Sequence, residues 1–197
     1  HHGVIESNGE NGLYYMGAGG SVNITAGSLA GSGTGVISAS GGNPSSSSGT
    51  DAGAGGGRVA VMLTSPGADF GDYEGRISAY GGRYSAATRA GGAGTVYLRT
   101  AAQGLAGGKL IIDNDSGVNS GTTTLGGDVE GVAFGSVLIS GGSKTMLANG
   151  ACIEVSGDWS NFETFMAGVG SSVQLVGAGA CAYAGDTTFA NFGVSDA

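Results

Sequence analysis

Apolar residues in this chain come in short bursts that alternate with polar ones and are cut off by glycine. In SVNITA the pattern places Val22 and Ile24 on one face, with Asn23 and Thr25 on the other. In RVAVML it sends Val59, Val61 and Leu63 inward and Ala60 and Met62 outward, and in TVYLR it sends Val96 and Leu98 inward and Tyr97 and Arg99 outward. A period of two over five or six residues predicts half-buried strands. The three bursts are spaced evenly, with Val22, Val59 and Val96 each 37 residues apart, and each follows a glycine cluster: GAGG at 17–20, GAGGG at 53–57 and GGAG at 91–94. Between them recurs a second string, ISASGG at 37–42 and ISAYGG at 77–82. The repeating unit therefore holds two short strands, each closed by glycines.

The second half keeps the strands but changes the spacing. Short apolar runs occur at KLIID (109–113), SVLIS (136–140), CIEVS (152–156), SVQLV (172–176) and FANFGV (189–194), and from SVLIS onward they follow one another at about half of the first-half repeat. A rung of about 18 residues then describes the whole chain and predicts an all-β parallel β-helix, or β-solenoid. About ten rungs at ~4.8 Å would make a rod on the order of 50 Å long. The competing architecture is an antiparallel β-sandwich, which also uses many short strands. The fixed period and the scarcity of Asn-Gly or Asp-Gly hairpin turns favour the solenoid. Residues 3–116 form the longer repeats, and 117–197 a second repeat type continuing the same solenoid. The low-complexity stretch 41–57 and the shorter 81–94 are expected to bulge from one side of the rod.

Composition sharpens this picture. Glycine supplies 44 of 197 residues without a three-residue period, which excludes collagen, and 40% hydrophobic residues argue against disorder. Glycine at this density disfavours helices. A net charge of −8, with seven scattered basic residues, opposes nucleic-acid binding. No stretch approaches the ~20 apolar residues of a membrane-spanning helix. The absence of a signal peptide suggests a mature or excised segment, and His1 and His2 read as the remnant of a purification tag.

The run from GAGGSVNITAGSLAGSGTGVISASGG to KLIIDND resembles a glycine-rich repeat of very large bacterial surface and secreted proteins. The second half resembles another such repeat, through Gly157-Asp158-Trp159-Ser160-Asn161, the segment Thr164 to Gly170, and Thr187 to Phe192. This resemblance to autotransporter- or adhesin-like repeat regions implies a β-helical stalk or spacer displayed outside the cell.

Candidate chemistry is sparse. With no histidine beyond the first two residues, Ser-His-Asp and Cys-His catalysis are excluded, and no catalytic residue is assigned. Asp69, Asp72 and Glu74 beside Arg76 form the nearest approach to a lyase cluster, but they read as a solvated loop. Asp113-Asn114-Asp115-Ser116-Gly117 is similar to the start of a calcium loop, making Asp113 and Asp115 the candidate metal ligands, without the glutamate of a full EF-hand. Cys152 and Cys181 are candidates for a disulfide or for free thiols. Six of seven tyrosines precede residue 100; Tyr80 and Tyr97, pointing outward from neighbouring rungs, are candidates for a ligand or partner face. Trp159 is expected to fill a rung corner.

The functional expectation is a structural or adhesive stalk module of an extracellular bacterial protein, with no cofactor. Its partners would be a glycan, a cell surface or a copy of itself. The alternative is a polysaccharide-processing β-helix enzyme or an inactive carbohydrate-binding relative. An ice-binding face would need ranked threonines, of which only Thr122 to Thr124 give a hint.

Overall fold

The computed structural model describes residues 1–45, 52–84, 89–104, 107–118, 120–126, 132–177, 179 and 181–195. They are mostly β, and the alternating bursts form strands where the pattern places them. The first half contains β1 (Val4–Glu6), β2 (Ser21–Ala26), β3 (Val36–Ser38), β4 (Arg58–Leu63), β5 (Arg76–Ser78) and β6 (Thr95–Arg99). These strands alternate between two parallel sheets, one ordered β1-β3-β5 and the other containing β2, β4 and β6 in succession. Val22, Val59 and Val96 lie in one line of register, as do Ile5, Ile37 and Ile77 in the other sheet. The chain thus returns to the same sheet once per Val22-to-Val59 repeat, having visited the other sheet in between. The expectation of a rung half that long is corrected here, because the whole repeat is a single circuit. Parallel pairing also removes the antiparallel sandwich.

The valines of this repeat, with Leu63, meet Ile37, Ala39 and Ala79 in a closed core. That core is narrow because the glycine clusters pack backbone on backbone. Gly41 donates to the Tyr80 carbonyl at 2.8 Å, Gly42 to Gly17, Gly82 to Ala54, and Gly91 to Gly82. The segment 39–42 alone exchanges hydrogen bonds with residues 9, 17, 54, 57, 78 and 80. Extended backbone without internal hydrogen bonds can donate outward in several directions in this way, as polyproline-II segments do. It requires that no Cβ stand between neighbours. A Cβ on Gly53 would lie 1.6 Å from the Gly82 carbonyl oxygen, and one on Gly82 would lie 1.9 Å from that of Gly42. Left-handed φ values occur at Gly67, Gly104, Gly141, Gly142, Gly150 and Gly170, all outside the clusters. The clustered glycines serve close approach rather than tight turning. Residues 41–45 and 52–57 therefore belong to this packed body, as do 81–84 and 89–94; the Ser-rich stretch 46–51 and residues 85–88 lie outside the described set.

The second half follows a three-sided course. Its strands are β7 (Lys109–Asp113), β8 (Thr122–Leu125), β9 (Val132–Phe134), β10 (Ser136–Ser140), β11 (Lys144–Leu147), β12 (Cys152–Val155), β13 (Trp159–Asn161), β14 (Thr164–Ala167), β15 (Ser172–Leu175), β16 (Cys181–Tyr183), β17 (Thr187–Thr188) and β18 (Asn191–Val194). They form three parallel stacks: β7-β10-β13-β16, β8-β11-β14-β17 and β9-β12-β15-β18. Val137 pairs with Trp159, and Cys152 with Ser172. One circuit here is shorter than in the first half, yet it crosses three sheets.

The two halves share a sheet but not a direction. After β6 the chain turns through a 3-10 helix (Ala101–Gln103) and Gly104, whose φ is 65°, and β7 returns antiparallel to β6. Among the described residues this gives one seven-stranded sheet, β16-β13-β10-β7-β6-β4-β2. Its two faces serve different cores. Val96 and Leu98 of β6 and Ile111 of β7 pack on the first core, while Tyr97, Leu110 and Ile112 pack on the second. The register agrees, since Val96 pairs with Ile111 and Tyr97 with Leu110, which puts each pair on one face. The N-terminal circuits lie against one side of the sheet and the C-terminal circuits against the other. KLIID is a continuous apolar run because β7 is covered on both faces.

Candidate functional site

The reversal leaves a feature on the N-terminal face. Strand β5 ends its three-stranded sheet, because the chain beyond β6 builds its remaining sheets on the opposite side. Beside β5 lies a depression of about 210 Å³, with Ile77, Val96 and Ile111 as apolar walls and Ser78, Tyr80 and Asp113 as polar ones. A second depression of about 240 Å³ shares Tyr80 in its lining and is bordered by Ser40, Asn43, Arg83 and Asp115. Both fall below the roughly 300–1,000 Å³ of sites that enclose a drug-sized ligand, so they suit one small ring each.

The segment Asp113–Gly117 positions the acidic side of this groove. Asp115 and Ser116 have φ of 49° and 61°, and the Gly117 amide donates to the Asn114 carbonyl at 2.9 Å. Two successive left-handed residues closed by that bond make a type I′ turn, a conformation that Asp and Asn tolerate. Asn114 is buried at its base: its Oδ1 accepts from the Gly81 amide at 2.7 Å, and its Nδ2 donates to the Gly91 carbonyl and to Ser120 Oγ. One amide side chain thereby fastens the glycine bundle of the first half to the first circuit of the second. Arg83 Nη2 and Asp115 Oδ2 reinforce this at 2.7 Å.

The two aspartates expected as calcium ligands are occupied with protein partners. Asp113 Oδ1 accepts from the Asp115 amide at 2.8 Å and Oδ2 from the Ser140 hydroxyl at 2.6 Å, while Asp115 pairs with Arg83. Among the described residues no group of three or more His, Cys, Asp or Glu is placed to hold a metal ion. The DNDSG string is a turn that joins the two halves. Burial pushes the Tyr80 phenol above its usual pKa, the Asp113 and Asp115 carboxylates push it further, and Arg76 and Arg83 oppose them.

Tyr80 and Tyr97 do not share a face. Tyr97 does point away from the first core, but the second core covers it: its ring meets Phe134 edge-on at 6.3 Å and lies where a Cβ on Gly108 would come within 2.2 Å of Cζ. The two-tyrosine face is corrected on this ground, and Tyr80 alone lines the groove. Cys152 is a free thiol on β12, and Cys181 lies on β16 of a different sheet. Asp69, Asp72, Glu74 and Arg76 are all exposed, and Asp69 accepts from the Gly71 amide in a local turn. His1 stacks on Tyr73 at 6.3 Å and His2 bonds Ser32, so both histidines make contacts within the fold.

Motif residues of the second half do structural work. Trp159 is fully buried, with Phe165 edge-on at 5.0 Å and Phe189 at 5.9 Å. Asn161 is also fully buried; it donates to Thr187 Oγ1 and accepts from the Glu163 amide.

Sequence reasoning missed Ser78, Arg83 and Asn114. A signal existed for Ser78, since Ser38 holds the same place in the previous ISA string and is equally buried. Ser38 Oγ donates to Asn8 Oδ1 at 2.8 Å, whereas Ser78 Oγ is buried without a protein partner. Comparison with protein-family models, curated proteins and solved structures finds no match for this chain.

Proposed function

We propose that this chain is a β-solenoid segment of a larger extracellular protein, of the glycine-rich surface-repeat kind its sequence resembles, and that it acts as a stiff module that spaces or displays other domains. One observation carries the reading: the uninterrupted register of strands across both halves. Lines of paired residues run through β2-β4-β6 and on through β7-β10-β13-β16 in a single sheet. Six spacings of ~4.8 Å make that sheet about 29 Å from end to end. Each circuit is hydrogen-bonded to the next, and the glycine bundle adds backbone bonds across the first half. An element bonded on both sides has little freedom to bend, which is what a spacer needs.

The stiffness is tested by spin labels at Val4 and Val194, both exposed end-strand positions, after Cys152 and Cys181 are replaced by serine. A spacer gives one narrow distance distribution, unchanged by mild denaturant below the unfolding transition. A broad or bimodal distribution would refute it. Display outside the cell is tested separately, with antibody to this chain on intact cells that make the parent protein; labelling only after permeabilisation contradicts it.

A further inference from the structure

We propose that the open edge of β5 accepts an extended peptide from a partner protein, which pairs as an added strand, seats an apolar side chain beside Ile77 and sets a basic one against Asp113. This goes beyond the spacer reading and does not depend on it.

The edge comes from the sheet reversal. The smaller sheet holds β1, β3 and β5, and the larger one holds β2, β4 and β6 before running on through β7 and β10. Among the described residues no strand of the smaller sheet follows β5. The Arg76 amide donates to Gly35 and the Ser78 carbonyl accepts from Ala39, so both face β3. By the alternation of a parallel ladder, the N–H and C=O of Ile77 face the other way. One circuit earlier, the corresponding amides of Ala39 and Gly41 donate to Ser78 and Tyr80 of the next circuit. At the β5 edge the Asn114 side chain stands in for such a strand at one point, taking the Gly81 amide at 2.7 Å. Ile77, half-buried, lies along the part of the edge that no strand covers.

The floor below that edge selects side chains. Ile77, Val96 and Ile111 wall the depression of about 210 Å³, too small to enclose a drug-sized ligand but suited to one apolar side chain. Leu138 of β10 pairs with Ile111 and shares its face, so the apolar floor continues under the next position. Alternation along β7 puts Lys109 and Asp113 on that face too, one on either side of Ile111. Asp113 lines the depression and accepts from the Asp115 amide and the Ser140 hydroxyl. Among the described residues neither Asp113 nor Lys109 has an ion-pair partner. A strand laid over β7 therefore meets a cation, an apolar pocket and an anion at alternate positions. Its complement is an acidic, an apolar and a basic residue at the same spacing. A polypeptide offers main-chain groups to β5 and alternating side chains to β7, the way strand addition joins affinity to selectivity.

The test uses the full chain with labelled Ile and Leu methyls and two short synthetic peptides. One carries Glu-Thr-Leu-Thr-Lys and the other Lys-Thr-Leu-Thr-Glu, for parallel and antiparallel addition. Each is titrated by NMR to about 2 mM, which reports millimolar binding. At least one is expected to shift the Ile77, Ile111 and Leu138 methyls, to leave Ile153 of the second core unmoved and to slow exchange of the Ile77 amide. Methylating the peptide amides at the leucine and the next residue should abolish binding, because it removes main-chain donors and keeps every side chain. Replacing the leucine with alanine should weaken binding about tenfold. Asp113→Asn keeps an acceptor for the Asp115 amide and a partner for Ser140, so its unfolding midpoint should match the parent. Its affinity should fall about threefold with the loss of one partly exposed ion pair. The proposal is overturned if neither peptide shifts these methyls, if the methylated peptides bind as well, or if Asp113→Asn binds as tightly as the parent. It is also overturned if the Ile77 and Ile111 methyls shift with protein concentration alone, which makes the face a contact between copies of this chain. Each of these leaves the spacer reading standing, because the spin-label distance is measured without peptide.

Discussion

Replacing Gly82 with alanine separates two explanations of a glycine-rich chain. If glycine is present for turning, Gly82→Ala should be harmless, because its φ is outside the left-handed range. It would even stabilise by about 0.4–1 kcal/mol through the unfolded chain's lost freedom. The packing seen here gives the opposite sign. The new Cβ would stand 1.9 Å from the Gly42 carbonyl oxygen and 2.5 Å from its carbon, both backbone atoms that cannot rotate away. Relief requires segments 41–42 and 81–82 to separate by more than an ångström. That movement breaks the 2.8 Å bond from Gly82 to Ala54 and the 2.9 Å bond from Gly91 to Gly82. Two backbone hydrogen bonds at about 1 kcal/mol each, plus about 1–3 kcal/mol for polar groups left unpaired, give a loss of roughly 3–5 kcal/mol. Gly33→Ala is the matched control: it is exposed, its φ is ordinary and the nearest atom is 3.7 Å away. It should stay within about 0.5 kcal/mol of the parent. Urea unfolding followed by far-ultraviolet circular dichroism reads both, with slopes on the order of 2 kcal/mol per molar urea. Gly82→Ala should lower the midpoint by about 1.5–2.5 M. Equal midpoints for the two variants would refute the backbone-packing argument.

Asn114→Ala strips partners from Gly81, Gly91 and Ser120 at once, and thermal unfolding should register a loss of about 2–4 kcal/mol. Trp159→Ala should cost about 3–5 kcal/mol from an aromatic core, and the parent's Trp159 emission should resist quenching by acrylamide because the ring is fully buried. The Tyr80 phenol holds its proton more tightly when folded than unfolded. Its contribution to stability is therefore complete below pH of about 10 and lost as pH rises through the folded pKa. Ultraviolet titration of phenolate should show a late-ionising component that shrinks in Tyr80→Phe.

Strands β2, β4 and β6 are legible because each alternates cleanly and follows a glycine cluster, and β3 and β5 because their ISA strings recur, whereas the three exposed residues of β1 carry no such pattern. The length of a circuit is not legible, because a regular spacing of strands does not say how many sheets they visit. In the second half the runs that stand out, such as SVLIS, CIEVS and SVQLV, belong to two of three stacks. The third carries Thr122 to Thr124, Lys144 and Met166, whose mixed polarity hides the alternation, so spacing measured between stacks mistakes part of a circuit for the whole. The reversal at β6–β7 has one trace, the unbroken apolar run Leu110 to Ile112, which is ambiguous until both neighbouring cores are seen. Of the groove, Tyr80 and Asp113 stand out in the sequence for separate reasons, and only the fold brings them together. Ser78 looks like any small residue of its string, since an unpaired hydroxyl is a property of three-dimensional surroundings. Glycine reads as punctuation because composition cannot tell a turn from a close approach.

If the glycine-rich segments are a hydrogen-bonded body that stiffens the chain, their amides must be protected from solvent. Amide hydrogen exchange measured by NMR tests this directly at Gly41, Gly42, Gly56, Gly82, Gly91 and Gly94, each of which donates to a backbone carbonyl. Protection comparable to that of Val59 and Val61 in β4 is the expected result, with exchange only through global opening. Exchange at these glycines as fast as in an unstructured peptide, while β4 remains protected, would contradict it.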